Sequence, residues 1–302
     1  MVSEITTERR VTVQGVSTMY YEAGQGPAVV LLHGNATSPR DWWRIMEDLR
    51  GTQRVIAPAL PGFGYTSPLD SLEPERLASF IAAFLDEVKV DKAVLVGHST
   101  GGALALAFTL AHPDRVTRLA LADSAGLGRS VNPLLIAEAL VPLPLAKAAI
   151  AVLLLPGFDV GRVAAGAVQL RQPWRVPWYV WATQIRLSHS PTFLLQSFRT
   201  VREGVGLLGQ RHVYKDRLRE IRVPTLVIWG LTDLLFPVRH AVSSARRLPS
   251  GSLAIIPTTG HGSYLECHEE FIDALGPFVR DDLREVRAKD SGDAKGAKGS
   301  HG

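Results

Sequence analysis

The segment VLVGHSTGGA, residues 94–103, carries Ser99 with a glycine two positions to either side, in the pattern G-x-S-x-G. An apolar, strand-like run precedes it and an Ala-rich, helix-like stretch follows. That spacing suits a nucleophile. A serine on a very sharp strand-to-helix turn has a strained backbone, and side chains two positions away would collide, so Gly97 and Gly101 meet a steric need. The turn lifts the hydroxyl out of the sheet and aims it at a helix N-terminus, where free N–H groups stabilise negative charge. The ordinary alternative is a glycine-rich strand–helix turn without chemistry.

A serine hydroxyl is a poor nucleophile until a base takes its proton. Of nine histidines, His33 and His98 belong to motifs beside the nucleophile. His112, His189 and His212 precede the last part of the sheet, and His240 and His268 fall within predicted helices. His261 alone sits between a strand and a helix, in Thr259-Gly260-His261-Gly262-Ser263, with glycines that let the ring reach over a sheet edge. His261 is the expected base and His268 the fallback. The base needs an acid to fix its tautomer and stabilise the imidazolium. Asp233, just past a buried strand in WGLTDLLFP (229–237), is the expected partner. Asp123, at the end of an earlier strand, is the rival; its other reading is a hinge at the entrance to the following segment.

A tetrahedral intermediate also needs oxyanion donors. The N–H of Thr100 is one. The second is expected from the loop after Leu32, His33-Gly34-Asn35-Ala36, with the Asn35 backbone N–H as the choice. Asn35 could otherwise be a plain turn residue, or bind substrate with its side chain.

The elements that must position these groups follow from periodicity. Residues 9–22 read as a hairpin turning at Gln14-Gly15. Short apolar runs at 28–32, 54–57, 93–96, 116–122, 224–229 and 253–256 read as strands covered on both faces. Helix-length segments lie at 41–49, 74–88, 101–111, 237–248 and 266–279, with Ser71 suited to a helix start. The alternation predicts an α/β fold: a mostly parallel eight-stranded sheet flanked by helices. Residues 124–210 interrupt it. They are rich in Leu and Ala, broken by Pro133, Pro142, Pro144, Pro156, Pro173 and Pro177, and show no strand alternation. So long an insertion is no simple loop, and it predicts a helical cap. The expected division is a core of 1–123 and 211–288, a cap of 124–210, and a disordered, Gly-rich tail at 289–302.

Composition narrows the function classes. The chain has 302 residues, 46% hydrophobic and 21% charged, with a formal net charge of +4. This fits a soluble globular protein with ample core. One cysteine, Cys267, excludes an intrachain disulfide and agrees with a cytoplasmic location. No N-terminal apolar h-region marks a secretory signal. The longest uncharged apolar stretch near the middle, residues 148–158, is far short of the roughly 20 residues needed to span a bilayer. Basic residues are not clustered with aromatics, so nucleic-acid binding has no support. Residues 124–210 hold eight basic and three acidic side chains, either a solvated face or a field that favours anionic substrates. The stretch 134–155 reads as a buried helix pair or as a lipid-facing lid. No metal-ligand spacing, P-loop or dinucleotide fingerprint occurs, so neither metal nor cofactor is expected.

Together, His33-Gly34, Pro61-Gly62-Phe63-Gly64, Gly97–Gly102, Gly230–Asp233 and Gly260-His261 resemble the α/β-hydrolase fold superfamily in its capped, serine-dependent branch, over residues 10–123 and 211–280. The order Ser99, Asp233, His261 is the one this fold uses. The resemblance implies hydrolase chemistry, with a cap roofing the pocket. Trp174, Trp178 and Trp181 are the expected substrate-binding residues; each could equally pack the cap onto the core. Haloalkane dehalogenases and epoxide hydrolases are similar around His33-Gly34-Asn35 but use an aspartate nucleophile, where this chain has Ser99. Hydrolases that cleave carbon–carbon bonds in ring-fission products share the triad and the cap. In many of them a tryptophan follows the catalytic histidine, where Gly262 stands here. Cofactor-free haloperoxidases and arylesterases often show a similar Ser-Thr-Gly-Gly elbow with a smaller cap.

The leading expectation is therefore a serine hydrolase of esters, thioesters or lactones of small to medium apolar substrates, acting through an acyl-enzyme. The alternatives are carbon–carbon bond hydrolysis of ring-fission products and a low-turnover ligand-sensing module. The expected partner is a small-molecule substrate, with a homodimer left open.

Overall fold

The computed structural model describes residues 7–280 apart from 156, 159, 160, 162, 163 and 165. The tail expected at 289–302 lies outside the described residues. Eight strands form one sheet: β1 (Thr7–Val13), β2 (Val16–Ala23), β3 (Ala28–Leu32), β4 (Arg54–Pro58), β5 (Ala93–His98), β6 (Val116–Ala122), β9 (Thr225–Gly230) and β10 (Gly251–Ile256). Between β6 and β9, the two-residue strands β7 (Val205–Gly206) and β8 (Gly209–Gln210) make a separate ribbon. The order across the main sheet is β1-β2-β4-β3-β5-β6-β9-β10. β1 pairs with β2, and β2 with β4, antiparallel; the remaining pairs are parallel. Gln14 and Gly15 both have positive φ, 49° and 82°, the backbone that matches a two-residue hairpin to strand twist.

Strand residues alternate between two cores, as the pleat requires. Val30, Leu32, Leu95, Val227 and Trp229 face one layer. Val29, Leu31, Val94, Val96, Leu226 and Ile228 face the other. On the first face lie α2 (Pro74–Glu87), α3 (Thr100–Ala111) and α8 (Arg239–Ala245). Helix α2 buries Ala78, Phe80, Ile81, Phe84 and Leu85, a stripe at helical spacing. On the second face lie α1 (Trp43–Leu49) and α10 (His268–Arg280), with Trp42 stacked on Tyr264 at 4.2 Å between ring centroids.

The insertion is helical: α4 (Pro133–Leu140), α5 (Leu143–Leu153), α6 (Trp178–Ser188) and α7 (Pro191–Gly204). Each has a proline at or just before its first position, where a missing N–H costs nothing. The Asn132 side chain caps α4, and Ser190 caps α7. Several expectations need correction. The segment 124–210 does contain strands, because Gly209 reverses the chain with φ 101° and lets β7 and β8 pair. Residues 124–132 run along the core, with Ala125 N donating to Ser99 O and Asn132 N to Leu235 O. The helix expected over 266–279 is α10, which starts at His268, and a separate short helix, α9 (Ser263–Glu266), precedes it where Cys267 leaves helical geometry. Ser71 stops short of the helix and accepts from Glu73 N instead. Among the described residues no single helix is long and apolar enough to cross a membrane. Leu134, Leu140, Leu145, Val152 and Leu155 of the α4–α5 region are exposed rather than buried.

Candidate active site

Ser99 stands on the bend between β5 and α3 with φ 53° and ψ −119°. A non-glycine residue at positive φ costs on the order of 1–3 kcal/mol and persists only where its surroundings over-determine it. Here they do. Ser99 N donates to Ala122 O (3.0 Å), and Ser99 O accepts from Gly102 N (3.0 Å), Ala103 N (3.2 Å) and Ala125 N (3.0 Å). The glycines are steric necessities. A Cβ on Gly97 would lie 2.4 Å from Gly101 O, and one on Gly101 2.2 Å from Leu32 O.

His261, in the loop after β10, places Nε2 2.9 Å from Ser99 Oγ and Nδ1 2.9 Å from Asp233 Oδ2. Both side chains of this pair are shielded, with exposures of 3% and 0%. The other Asp233 oxygen accepts from Leu235 N (2.7 Å) and Phe236 N (3.0 Å), which fixes the carboxylate in the turn after β9. Burial pushes the imidazole toward its neutral form. The charge and hydrogen bond of Asp233, with the charges of Asp123 and Glu266 behind them, outweigh that and leave its pKa raised. The arrangement lets Nδ1–H donate to Asp233 while Nε2 accepts the Ser99 hydroxyl proton.

Asp123 is fully buried and close by, yet both its oxygens are occupied elsewhere. They accept from Gly230 N (2.7 Å) and Ser263 N (3.2 Å). Burial, helped by the charge of Asp233, drives its carboxyl pKa up. It thus ties the Asp233 turn to the His261 loop, and no hydrogen bond joins it to the imidazole. The fallback, His268, pairs with Asp48 at 2.7 Å, apart from the serine.

The backbone N–H groups of Thr100 and Asn35 donate no hydrogen bond among the described residues. Thr100 opens α3, and the Gly34–Asn35 turn lies against the serine: a Cβ on Gly34 would stand 3.1 Å from Ser99 Cβ. That turn is braced by His33. Its Nε2 accepts from Leu60 N (3.0 Å), so Nδ1 carries the proton and donates to Gly34 O (2.9 Å). Burial holds the His33 imidazole down at about 4. His98, its pKa lowered to about 3 by burial and then by the neighbouring His261, donates from Nε2 to His261 O at 2.7 Å. Two neutral histidines therefore hold backbone on either side of the serine. Motif context had singled out both positions without giving them this task.

The cap closes over this rim. Gln184 Nε2 donates to Ala36 O (2.8 Å), and Asn35 Nδ2 to Ser197 O (3.1 Å). Phe193 meets Phe63 edge-to-face at 5.8 Å, and Phe236 meets the His261 ring at 5.2 Å. The expected tryptophans do not share this role. Trp174 and Trp178 are 76% and 73% exposed, because the short 3-10 turn and the first turn of α6 aim them outward. Trp181 is half-buried and packs against the second core layer. One buried group had no signal in the reading of single motifs. Glu266 is 3% exposed, and its carboxylate accepts from Gly260 N, Arg171 N and Gln172 N. Its spacing of five residues after His261 was the available clue. Among the described residues no group of three or more His, Cys, Asp or Glu side chains is arranged to hold a metal ion.

Comparison with known proteins agrees with the fold. The sequence profile described as alpha/beta hydrolase fold matches residues 27–147. An uncharacterised protein of Mycobacterium tuberculosis is 31% identical over 283 residues, 89% of this chain and 80% of that one. A 2-hydroxy-6-oxo-6-phenylhexa-2,4-dienoate hydrolase of Burkholderia cepacia is 29% identical over 282 residues, 89% of this chain and 95% of that one. Among solved structures, a bacterial membrane phospholipase A superposes with a TM-score of 0.76 at 25% identity, covering 92% of this chain and 87% of that one.

Proposed function

Because this chain belongs to the α/β-hydrolase fold family, we propose that it hydrolyses an ester, thioester or lactone of a small to medium apolar substrate through an acyl-enzyme on Ser99. One observation carries the reading: the continuous path from Ser99 Oγ through His261 to Asp233, each link 2.9 Å, on a serine held at φ 53°. As Ser99 Oγ attacks the carbonyl carbon, its proton passes to His261 Nε2. Asp233 stabilises the imidazolium that forms. The tetrahedral oxyanion points at the free N–H groups of Thr100 and Asn35. His261 then gives its proton to the leaving oxygen or sulfur, and the carbon–heteroatom bond breaks. A water deprotonated by His261 attacks the acyl-enzyme and releases the acid. Phe236 packs on the His261 ring and Phe63 on His33 and Phe193, apolar surroundings that suit an acyl group.

The test is a stopped-flow burst with p-nitrophenyl esters of graded chain length. Wild type should release a stoichiometric burst and Ser99→Ala none. Equal turnover by both proteins refutes the reading.

A second reading is hydrolysis of a carbon–carbon bond in a ring-fission dienoate. It is supported by the names of relatives such as the Burkholderia cepacia hydrolase and by the basic surplus at 124–210. Loss of the visible absorbance of such a dienoate, dependent on Ser99, would favour it. A stable absorbance alongside ester turnover rules it out.

A further inference from the structure

Glu266 takes no part in the Ser99–His261–Asp233 path, yet it is among the most enclosed charges in the protein. Its Oε1 accepts from Gly260 N at 3.1 Å, the residue directly before the base. Its Oε2 accepts from Arg171 N at 2.7 Å and Gln172 N at 2.6 Å, both in the inserted segment. A fourth bond runs in parallel, from His261 N to Gln169 O at 3.2 Å. The two backbones touch. A Cβ on Gly260 would lie 2.8 Å from Gln169 O and 3.0 Å from Arg171 N. So the carboxylate bridges a piece of the cap, residues 169–172, and the loop that carries the base.

The other side of that loop is held differently. Ser263 N donates to Asp123, which also holds Gly230 N, so this anchor belongs wholly to the core. His261 therefore sits between a core anchor at 263 and Gly260, whose partner Glu266 also holds the cap, while the core grips the loop at Thr259 O through Thr232 and at His261 O through His98. Bonds to a carboxylate are roughly twice as strong as neutral ones, so the bridge dominates the contact at 169–172. Ser99 is 7% exposed and His261 3%. Both side chains are largely enclosed, and a movement at 169–172 would act through these bonds on the residue next to the base.

We propose that Glu266 is a positioning residue that couples seating of the cap to placement of His261 over Ser99. This builds on the serine-hydrolase reading above. With residues 169–172 docked, Gly260 is held and the imidazole meets the serine. With them undocked, the loop loses its cap-side anchor and the base loosens, so proton transfer is tied to closure.

Hydrogen–deuterium exchange on the full chain tests the coupling without reference to any reaction. Glu266→Gln should speed exchange about tenfold in both the peptide covering 169–172 and the peptide covering 258–262. Faster exchange in only one of them, or in neither, overturns the proposal. With p-nitrophenyl acetate, the same variant should lose about tenfold in kcat with KM within twofold, and Glu266→Asp, which keeps the charge, should recover part of it. A loss confined to KM, or a wild-type kcat, also overturns it. If Glu266→Gln does not fold, Glu266→Asp carries both readouts, and unchanged exchange together with unchanged kcat refutes the coupling. A wild type inert toward esters would sink the ester reading alone and leave the exchange result to decide this one.

Discussion

Replacing Gly101 by alanine probes the serine turn with a single methyl group. The new Cβ would stand 2.2 Å from Leu32 O and 2.5 Å from His33 O. Non-bonded carbon and oxygen do not approach so closely, so a gap of roughly 0.8 Å must open. Neither neighbour can swing aside, because both are main-chain carbonyls at the end of β3. Gly102 differs, since its Cβ would meet the Ser124 hydroxyl, a side chain. Either the start of α3 moves or the 32–35 segment moves. Thr100 N–H rides on the first and Asn35 N–H on the second, so the contact at Gly101 sets the separation of the two oxyanion donors. Overpacking of this kind costs about 1–3 kcal/mol, and for a chain of this size each kcal/mol lowers Tm by roughly 2–4 °C. Misplacing one oxyanion donor costs on the order of 100- to 1000-fold in kcat. Gly101→Ala should therefore show a kcat for p-nitrophenyl esters at least about 100-fold down, KM nearly unchanged, and a Tm several degrees lower. Gly51→Ala, where a Cβ meets nothing within 4 Å, is the control and should match wild type. A Gly101→Ala protein with kcat within about threefold of wild type would refute the reasoning, since the donors would then not depend on this contact.

Asp233→Asn keeps an oxygen for Leu235 N and Phe236 N but loses the charge facing His261; kcat should fall on the order of 1000- to 10,000-fold while the melting curve moves little, as paired burst and calorimetry runs would show. The neutral form of His261 is the base, and its pKa is raised, so the acid limb of kcat/KM should lie above the ordinary 6.5 and a limb at or below it would count against the assignment. His33 and His98 have folded values depressed to about 4 and about 3. The unfolded chain thus takes up their protons first, so their contribution is whole above pH 6.5 and is lost as pH falls toward those values, on the order of 3 kcal/mol for His33 and about 5 kcal/mol for His98; urea unfolding at pH 7 and pH 5 should show the drop, and a flat profile would contradict it. Trp174→Ala and Trp178→Ala remove rings that stand in solvent, so KM for apolar esters should stay within about twofold, and a large rise would return them to the pocket.

Much of the fold was legible because it is written in local periodicity. The runs AVVLL, AVLVGH and TLVIWG are apolar on both faces, and only a covered parallel sheet accepts them. Helix ends were read less well. The segment 237–248 shrinks to Arg239–Ala245, and the last helix starts at His268 rather than 266, since such boundaries depend on tertiary contacts rather than propensity. The inserted segment was legible only as helical. Its short helices carry apolar residues on most sides, so periodicity could not tell which face meets the core, and the tryptophans were placed in the pocket when two of them face water.

The sequence alone determined the turn at Ser99. A nucleophile between Gly97 and Gly101, after a buried strand, calls for a sharp strand-to-helix turn, although the contact that bars a side chain at Gly101 comes from Leu32 O on the neighbouring strand. It also offered the order of Ser99, an aspartate and His261 along the chain, because each follows its own strand. Tertiary structure alone decided between Asp233 and Asp123. Both end neighbouring strands, and only the folded backbone shows Gly230 N and Ser263 N consuming the oxygens of Asp123. It alone revealed Glu266, whose partners at 171 and 172 lie more than 90 residues away. The reason is common to both. A carboxylate's role is set by which donors surround it, and donors brought together across the chain leave no trace in the spacing of one segment.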